Sequence, residues 1–210
     1  MNTLIDAPEK ARAAYVLAHG AGAGMRHPFM QAIAQGLAAR GVAVLRYEFA
    51  YMEQGGKRPD TPKVAEARVR EAVEEAGRRL PGLPLFAGGK SFGGRMTSQA
   101  QAASPLPGVH GLAFLGFPLH PTGKPSDARA AHLENVKVPM LFLQGTRDTL
   151  AELSLLRPVV ARLGKRATLE TFDDADHSFH VPARTGRKDA DVRESLLETF
   201  VRWIDSQRLR

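Results

Sequence analysis

Apolar residues run along this chain in two rhythms. Short unbroken runs occur at 14–18, 42–45, 84–87, 111–115 and 138–143, and such runs mark strands buried on both faces; 167–172 is a further strand candidate. Between them apolar residues recur three and four apart. The segment from Pro28 to Arg40 carries Phe29, Ile33, Leu37 and Ala38 and stops at Gly41, which predicts a helix with one buried face. Thr61-Pro62 offers a helix start, with Thr at the cap and Pro at the first turn. Ala65, Val69, Ala72, Val73, Ala76 and Leu80 then follow on one face before Pro81-Gly82. A small-residue helix is expected after Ser91, through Met96, Ala100 and Ala103. Another is expected around Pro158, with a restart near its middle, and a last one over 189–206, burying Val192, Leu196, Phe200 and Trp203 or Ile204.

Strands that alternate with amphipathic helices predict an α/β fold: a mostly parallel sheet with helices on both faces. No repeat, low-complexity tract or linker divides the chain, so one domain is expected over residues 1–210. Of these residues 43% are hydrophobic and 24% charged, the balance of a soluble globular protein. No apolar run reaches the ~20 residues that span a bilayer, and the N-terminus lacks a basic stretch followed by an apolar one. With no cysteine there is no disulfide framework, and a cytoplasmic location is expected. Lys and Arg outnumber Asp and Glu by 29 to 22, for a net charge of +7. The excess is scattered along the chain and forms no stripe, which argues against nucleic acid as a partner. That rival predicts salt-dependent retention on DNA or RNA.

The stretch 88–94, GGKSFGG, reads as two different devices. A phosphate loop needs G-x-x-x-x-G-K-[ST], but its first glycine would fall on Pro84, within an expected strand. The dinucleotide fingerprint fails similarly after Gly20, because its third glycine falls on Met25. The nucleophile-elbow pattern G-x-S-x-G fits at Gly89-Lys90-Ser91-Phe92-Gly93, between strand and helix as the pattern requires. In elbow enzymes an acid and then a histidine follow the serine, each just past a strand. Asp148 follows the strand at 138–143, and His177 follows the one at 167–172. Ser91 is then the candidate nucleophile, His177 the base and Asp148 its orienting acid. The backbone N–H of Phe92 and one from Ala21 or Gly22 are the candidate oxyanion donors.

Several residues keep competing readings. Asp148 could cap the following helix, and Asp176, beside His177, is a substitute acid to be tested. His180 makes a His-x-x-His spacing with His177, but two histidines without a third ligand are weak grounds for a metal. His19 is read as structural, and His27 and His120 are open. Lys90 either favours anionic substrates or packs its stem on the elbow with its amine in water; the second is preferred. Arg26, Arg95 and Lys124 are candidate partners for a substrate anion.

The segments AHGAGAGMRHPFM, GGKSFGGRM, GFPLHPTGKP, QGTRDTL and ADHSFHV resemble the α/β-hydrolase superfamily. More narrowly they resemble its small cap-less, dienelactone-hydrolase-like branch, related to hydrolase-like domains of testis-expressed and histone-acetyltransferase-complex proteins. Ser91 stands where true dienelactone hydrolases carry cysteine, so their reaction does not transfer. The resemblance implies esterase-type chemistry with no cofactor. It also implies an open site, because only residues 116–137 stand where caps are usually inserted; Phe29, Met30, Phe117, Leu119 and Lys90 are expected at its edge. The resulting expectation is a serine hydrolase, a carboxylesterase or thioesterase acting on a small-molecule acyl substrate. The alternative is a non-catalytic interaction domain that keeps the scaffold.

Overall fold

The computed structural model describes residues 1–208. Along the chain come β1 (Thr3–Asp6), β2 (Ala13–Ala18), α1 (Pro28–Ala38), β3 (Val42–Tyr47), α2 (Ala50–Glu53) and α3 (Pro62–Arg79). Then follow β4 (Leu85–Lys90), α4 (Phe92–Ala103), β5 (Val109–Leu115), a 3₁₀ stretch at Ala128–Asn135, β6 (Met140–Gly145), α5 (Leu153–Leu163), β7 (Ala167–Phe172) and α6 (Asp189–Arg208). The seven strands form one sheet in the order β1-β3-β2-β4-β5-β6-β7, parallel except for β1. This is the α/β-hydrolase fold. Between β5 and β6 lies only the loop with its 3₁₀ stretch, so there is no cap.

The central strands are buried from end to end, which is why they read as unbroken apolar runs. On one face α1 and α6 bury Met30, Ile33, Leu37, Val192, Leu196 and Phe200. On the other, α3, α4 and α5 bury Val69, Val73, Met96, Leu156 and Val159. Connections from β2 and from β4 diverge to opposite sides, so a crevice opens between the ends of these adjacent strands. Sites of open parallel sheets gather at such a point.

Four details differ from the sequence expectation. β1 is an added edge strand, antiparallel to β3 with Leu4 opposite Arg46; four residues are too few to declare a period, and the strand is fixed by the Arg46–Asp6 ion pair at 2.7 Å. β4 runs on through Gly88, Gly89 and Lys90, so Ser91 sits at the very end of the strand. α5 passes through Pro158 without a restart, because buried Leu156, Val159 and Leu163 hold the helix across the one backbone bond that proline cannot donate. Thr61 stands at the cap of α3, but its side chain makes no capping hydrogen bond; Pro62, with its fixed φ, starts the helix instead. No described helix is long and apolar enough to cross a membrane.

Candidate active site

Ser91 joins β4 to α4 with φ 49° and ψ −115°, a region that costs a non-glycine residue roughly 1–3 kcal/mol. Tight packing holds it there. A Cβ at Gly89 would lie 2.3 Å from the Ala18 carbonyl oxygen, and one at Gly93 would lie 2.6 Å from those of Ala18 and His19. Only glycine at both positions lets strand and helix close against β2, and that closure leaves Ser91 at the apex. The Ser91 N–H also donates to the Leu115 carbonyl at 3.2 Å, tying the apex to the end of β5.

Asp148 and His177 meet across the ends of β6 and β7. His177 Nδ1 lies 2.6 Å from Asp148 Oδ2. Asp148 is 3% exposed and does not cap α5, whose N-cap is Glu152. Its Oδ1 accepts the N–H of Leu150 at 2.8 Å, and its Oδ2 also accepts from the Gln144 amide. Gln144 Oε1 in turn accepts the Phe117 N–H at 2.9 Å. These hydrogen bonds fix the orientation of the carboxylate, and the imidazole is held with Nε2 away from the acid. Among the described residues Nε2 has no hydrogen-bond partner, although it is buried. Gln144 passed unnoticed in the sequence; an amide at the end of an apolar strand, four residues before the acid, was its only signal.

Asp176 plays another part. Its Oδ1 accepts the N–H groups of Ser178 at 2.7 Å and His180 at 3.0 Å, folding the turn that carries His177. His180 pairs with a different carboxylate, Asp189, at 2.9 Å, so the two histidines of the His-x-x-His spacing are divided between two acids. That contact raises the His180 pKa and lowers that of Asp189, in each case through their shared hydrogen bond. His27 lets its Nδ1 accept the Phe29 N–H at 3.2 Å and caps α1. His19 is fully buried, with Nδ1 2.8 Å from the Gly20 carbonyl and Nε2 accepting from the Phe49 N–H. His120 is buried beside Pro121 and Glu152.

A cavity of about 540 Å³ opens at this edge, lined by Ala21, Phe29, Met30, Lys90, Ser91 and His177, with His27, Leu150, His180 and Asp189 completing its wall. Two expected edge residues are elsewhere. Phe117 is a core residue, its ring 5.2 Å from Phe114 and 5.7 Å from Phe142. Leu119 is fully buried, because residues 119 and 120 bond back to the Leu150 carbonyl; Leu150 takes its place in the wall. The Gly22 N–H donates to the Tyr51 hydroxyl at 2.9 Å and is not free for an oxyanion, which leaves Ala21 in the loop after β2. Phe92 is the first residue of α4, where a backbone N–H has no partner within the helix. Arg95 and Lys124 do not line the cavity, and Arg26 lines a separate polar depression with Glu48.

Lys90 also departs from its expected reading. Its ammonium is turned away from water: Nζ donates to the His177 carbonyl at 2.5 Å and lies 5.7 Å from the centre of the Phe179 ring. Burial lowers its pKa to about 8, against the opposing pull of Asp148 and Asp176.

A sequence family described as an alpha/beta hydrolase domain matches residues 11–205. Among solved structures, an α/β serine hydrolase without a lid from Xanthomonas campestris is 22% identical, with 96% of this chain and 88% of that chain covered at a TM-score of 0.74. A dienelactone hydrolase from Anabaena variabilis is 21% identical, covering 95% and 90% at 0.75. An alpha-beta serine hydrolase homologue from Coxiella burnetii is 18% identical, covering 94% and 90% at 0.75. Kinship with the testis-expressed and histone-acetyltransferase-complex domains rests on the sequence motifs alone.

Proposed function

The chain belongs to the α/β-hydrolase family, and from that premise we propose that it is a serine hydrolase with Ser91 as nucleophile, His177 as general base and Asp148 as the orienting acid. The observation that carries this reading is the His177–Asp148 contact at 2.6 Å, which leaves Nε2 without a partner among the described residues, in a histidine that lines the same cavity as the strained Ser91. Substrate would bring its acyl carbon to Ser91 Oγ. As the C–O bond forms, the hydroxyl proton passes to His177 Nε2, and the negative charge of the carbonyl oxygen is met by the N–H groups of Phe92 and Ala21. Collapse expels the leaving group, which takes the proton from His177. Water then repeats the sequence and frees the acid and Ser91.

The apolar wall of Phe29, Met30 and Leu150, without a cap above it, suits a small or exposed acyl group on an ester or thioester. We take residues 1–210 as one catalytic unit and, from the cysteine-free composition, assign it to the cytoplasm. The test is to treat the folded protein and Ser91→Ala with a fluorophosphonate probe, read intact mass, and assay both on short-chain aryl esters. Adduct and turnover lost together in the variant support the reading; a folded wild type that takes no probe overturns it.

A further inference from the structure

Asp148 orients the ring of His177, but something must also fix the main chain that carries the ring. In the turn 176–180, Asp176 accepts the N–H groups of Ser178 and His180 through its carboxylate and that of Phe179 through its carbonyl, and the His180 carbonyl accepts from the Asp176 N–H at 2.9 Å. The His177 carbonyl is met from outside the turn, by Lys90 Nζ. The same ammonium lies by the Phe179 ring, two residues further on, and Phe179 holds a left-handed φ of 63°. Lys90 is covalently adjacent to Ser91. One side chain thus spans from the residue beside the nucleophile to the peptide of the base.

Gly116 leaves room for this arrangement: a Cβ there would stand 3.0 Å from Lys90 Nζ and 3.3 Å from His177 Nδ1 and Cε1. We propose that Lys90 is a positioning residue that sets the distance between Ser91 and His177 by holding the His177 carbonyl with a charged hydrogen bond. This rests on the serine-hydrolase reading of the same site. A charge-assisted bond is roughly twice as strong as a neutral one, so the hold depends on protonation. The charged or titratable groups facing the ammonium are Asp148 from the loop after β6 and Asp176 and His177 from the loop after β7. From the end of β5 Gly116 stands against the ammonium and from the end of β2 Gly20 stands against the lysine stem, while His27 before α1, His180 and Asp189 line the same cavity.

Loss of the hold displaces the base, and a displacement of about 1 Å can cost on the order of 100-fold in rate. The test is the pH–rate profile and pre-steady-state probe labelling of wild type, Lys90→Met and Lys90→Arg, with amide hydrogen exchange of Ser178, Phe179 and His180. Wild type should lose kcat as pH rises through about 8. Lys90→Met should show kcat reduced about 10- to 100-fold with KM little changed, no alkaline loss near 8, and faster exchange of the three amides. Lys90→Arg, charged throughout, should recover part of the rate and carry no alkaline loss. Wild-type rates and exchange in Lys90→Met would overturn the proposal while leaving Ser91 and His177 in place. An unlabelled wild type would instead overturn the catalytic reading and this one with it.

Discussion

Two serine–histidine pairs lie on or beside α4, and they differ in nearly everything but residue type. Ser98 Oγ is 2.7 Å from His132 Nε2, whereas His177 Nε2 has no hydrogen-bond partner among the described residues. Yet Ser98 sits mid-helix, fully buried, with its hydroxyl donating back to the Arg95 carbonyl at 2.8 Å. Among the described residues no carboxylate pairs with His132. Burial, followed by the nearby Arg95, lowers its pKa to about 4, so it resists the proton that a general base must accept. Ser91 instead stands on a strained apex in an open cavity, opposite an imidazole held by a buried acid. Proximity of serine and histidine therefore identifies no site. The proposed assignment to Ser91 and His177 rests instead on the carboxylate behind the imidazole, room for a substrate, and backbone strain that packing maintains.

The largest effect expected from this contrast is at Ser91. Ser91→Ala should lower kcat by about 10⁴-fold or more, whereas the pair on α4 should contribute nothing to turnover. Next is Asp148→Asn, which leaves the shape of the site but removes the charge that favours the productive tautomer. A fall of roughly 10³–10⁴-fold in kcat is expected, read on the same aryl ester with folding checked by circular dichroism. An Asp148→Asn protein with wild-type kcat would erase the distinction between the two pairs, since neither would then depend on an acid.

The frame of the candidate site was legible in the sequence because its parts are local. Gly89, Ser91 and Gly93 mark the elbow within five residues, and Asp148 and His177 each follow a strand closely. What lay out of reach was tertiary. Phe117 and Leu119 look like pocket residues next to a strand end, but the chain folds back on Leu150 and buries both. Gly22 looks like an oxyanion donor until Tyr51, from α2, takes its N–H. The direction of the Lys90 amine depended on a carbonyl 87 positions away, and no pattern in the neighbourhood of Lys90 encodes that.

A smaller effect separates the pairs by pH. Burial pushes the His132 pKa down to about 4 in the folded chain, against about 6.5 for an unfolded histidine. The unfolded state therefore binds more protons between these values, and stability falls as pH drops from about 6.5 toward 4. Because His132 is only half-buried, the loss is discounted to ~1–2 kcal/mol. His132→Gln should flatten that slope when urea midpoints are compared at pH 7 and pH 4.5; an unchanged slope would mean that His132 is not what acid attacks first.

The smallest expected effect is the most discriminating. Ser98→Ala removes the hydroxyl from His132 Nε2, and the Arg95 carbonyl loses only an extra donor to its helical bond. A cost of about 1 kcal/mol in stability is expected, read as a lower urea midpoint, with probe labelling and kcat unchanged. The substitution favours the helix, since alanine has the higher propensity and serine mid-helix competes for backbone bonds, so part of that cost is offset and the variant should fold. If Ser98→Ala folded normally but lost labelling, while Ser91→Ala kept it, the reactive pair would be the one on α4. The strain at Ser91 would then have to be explained by packing alone.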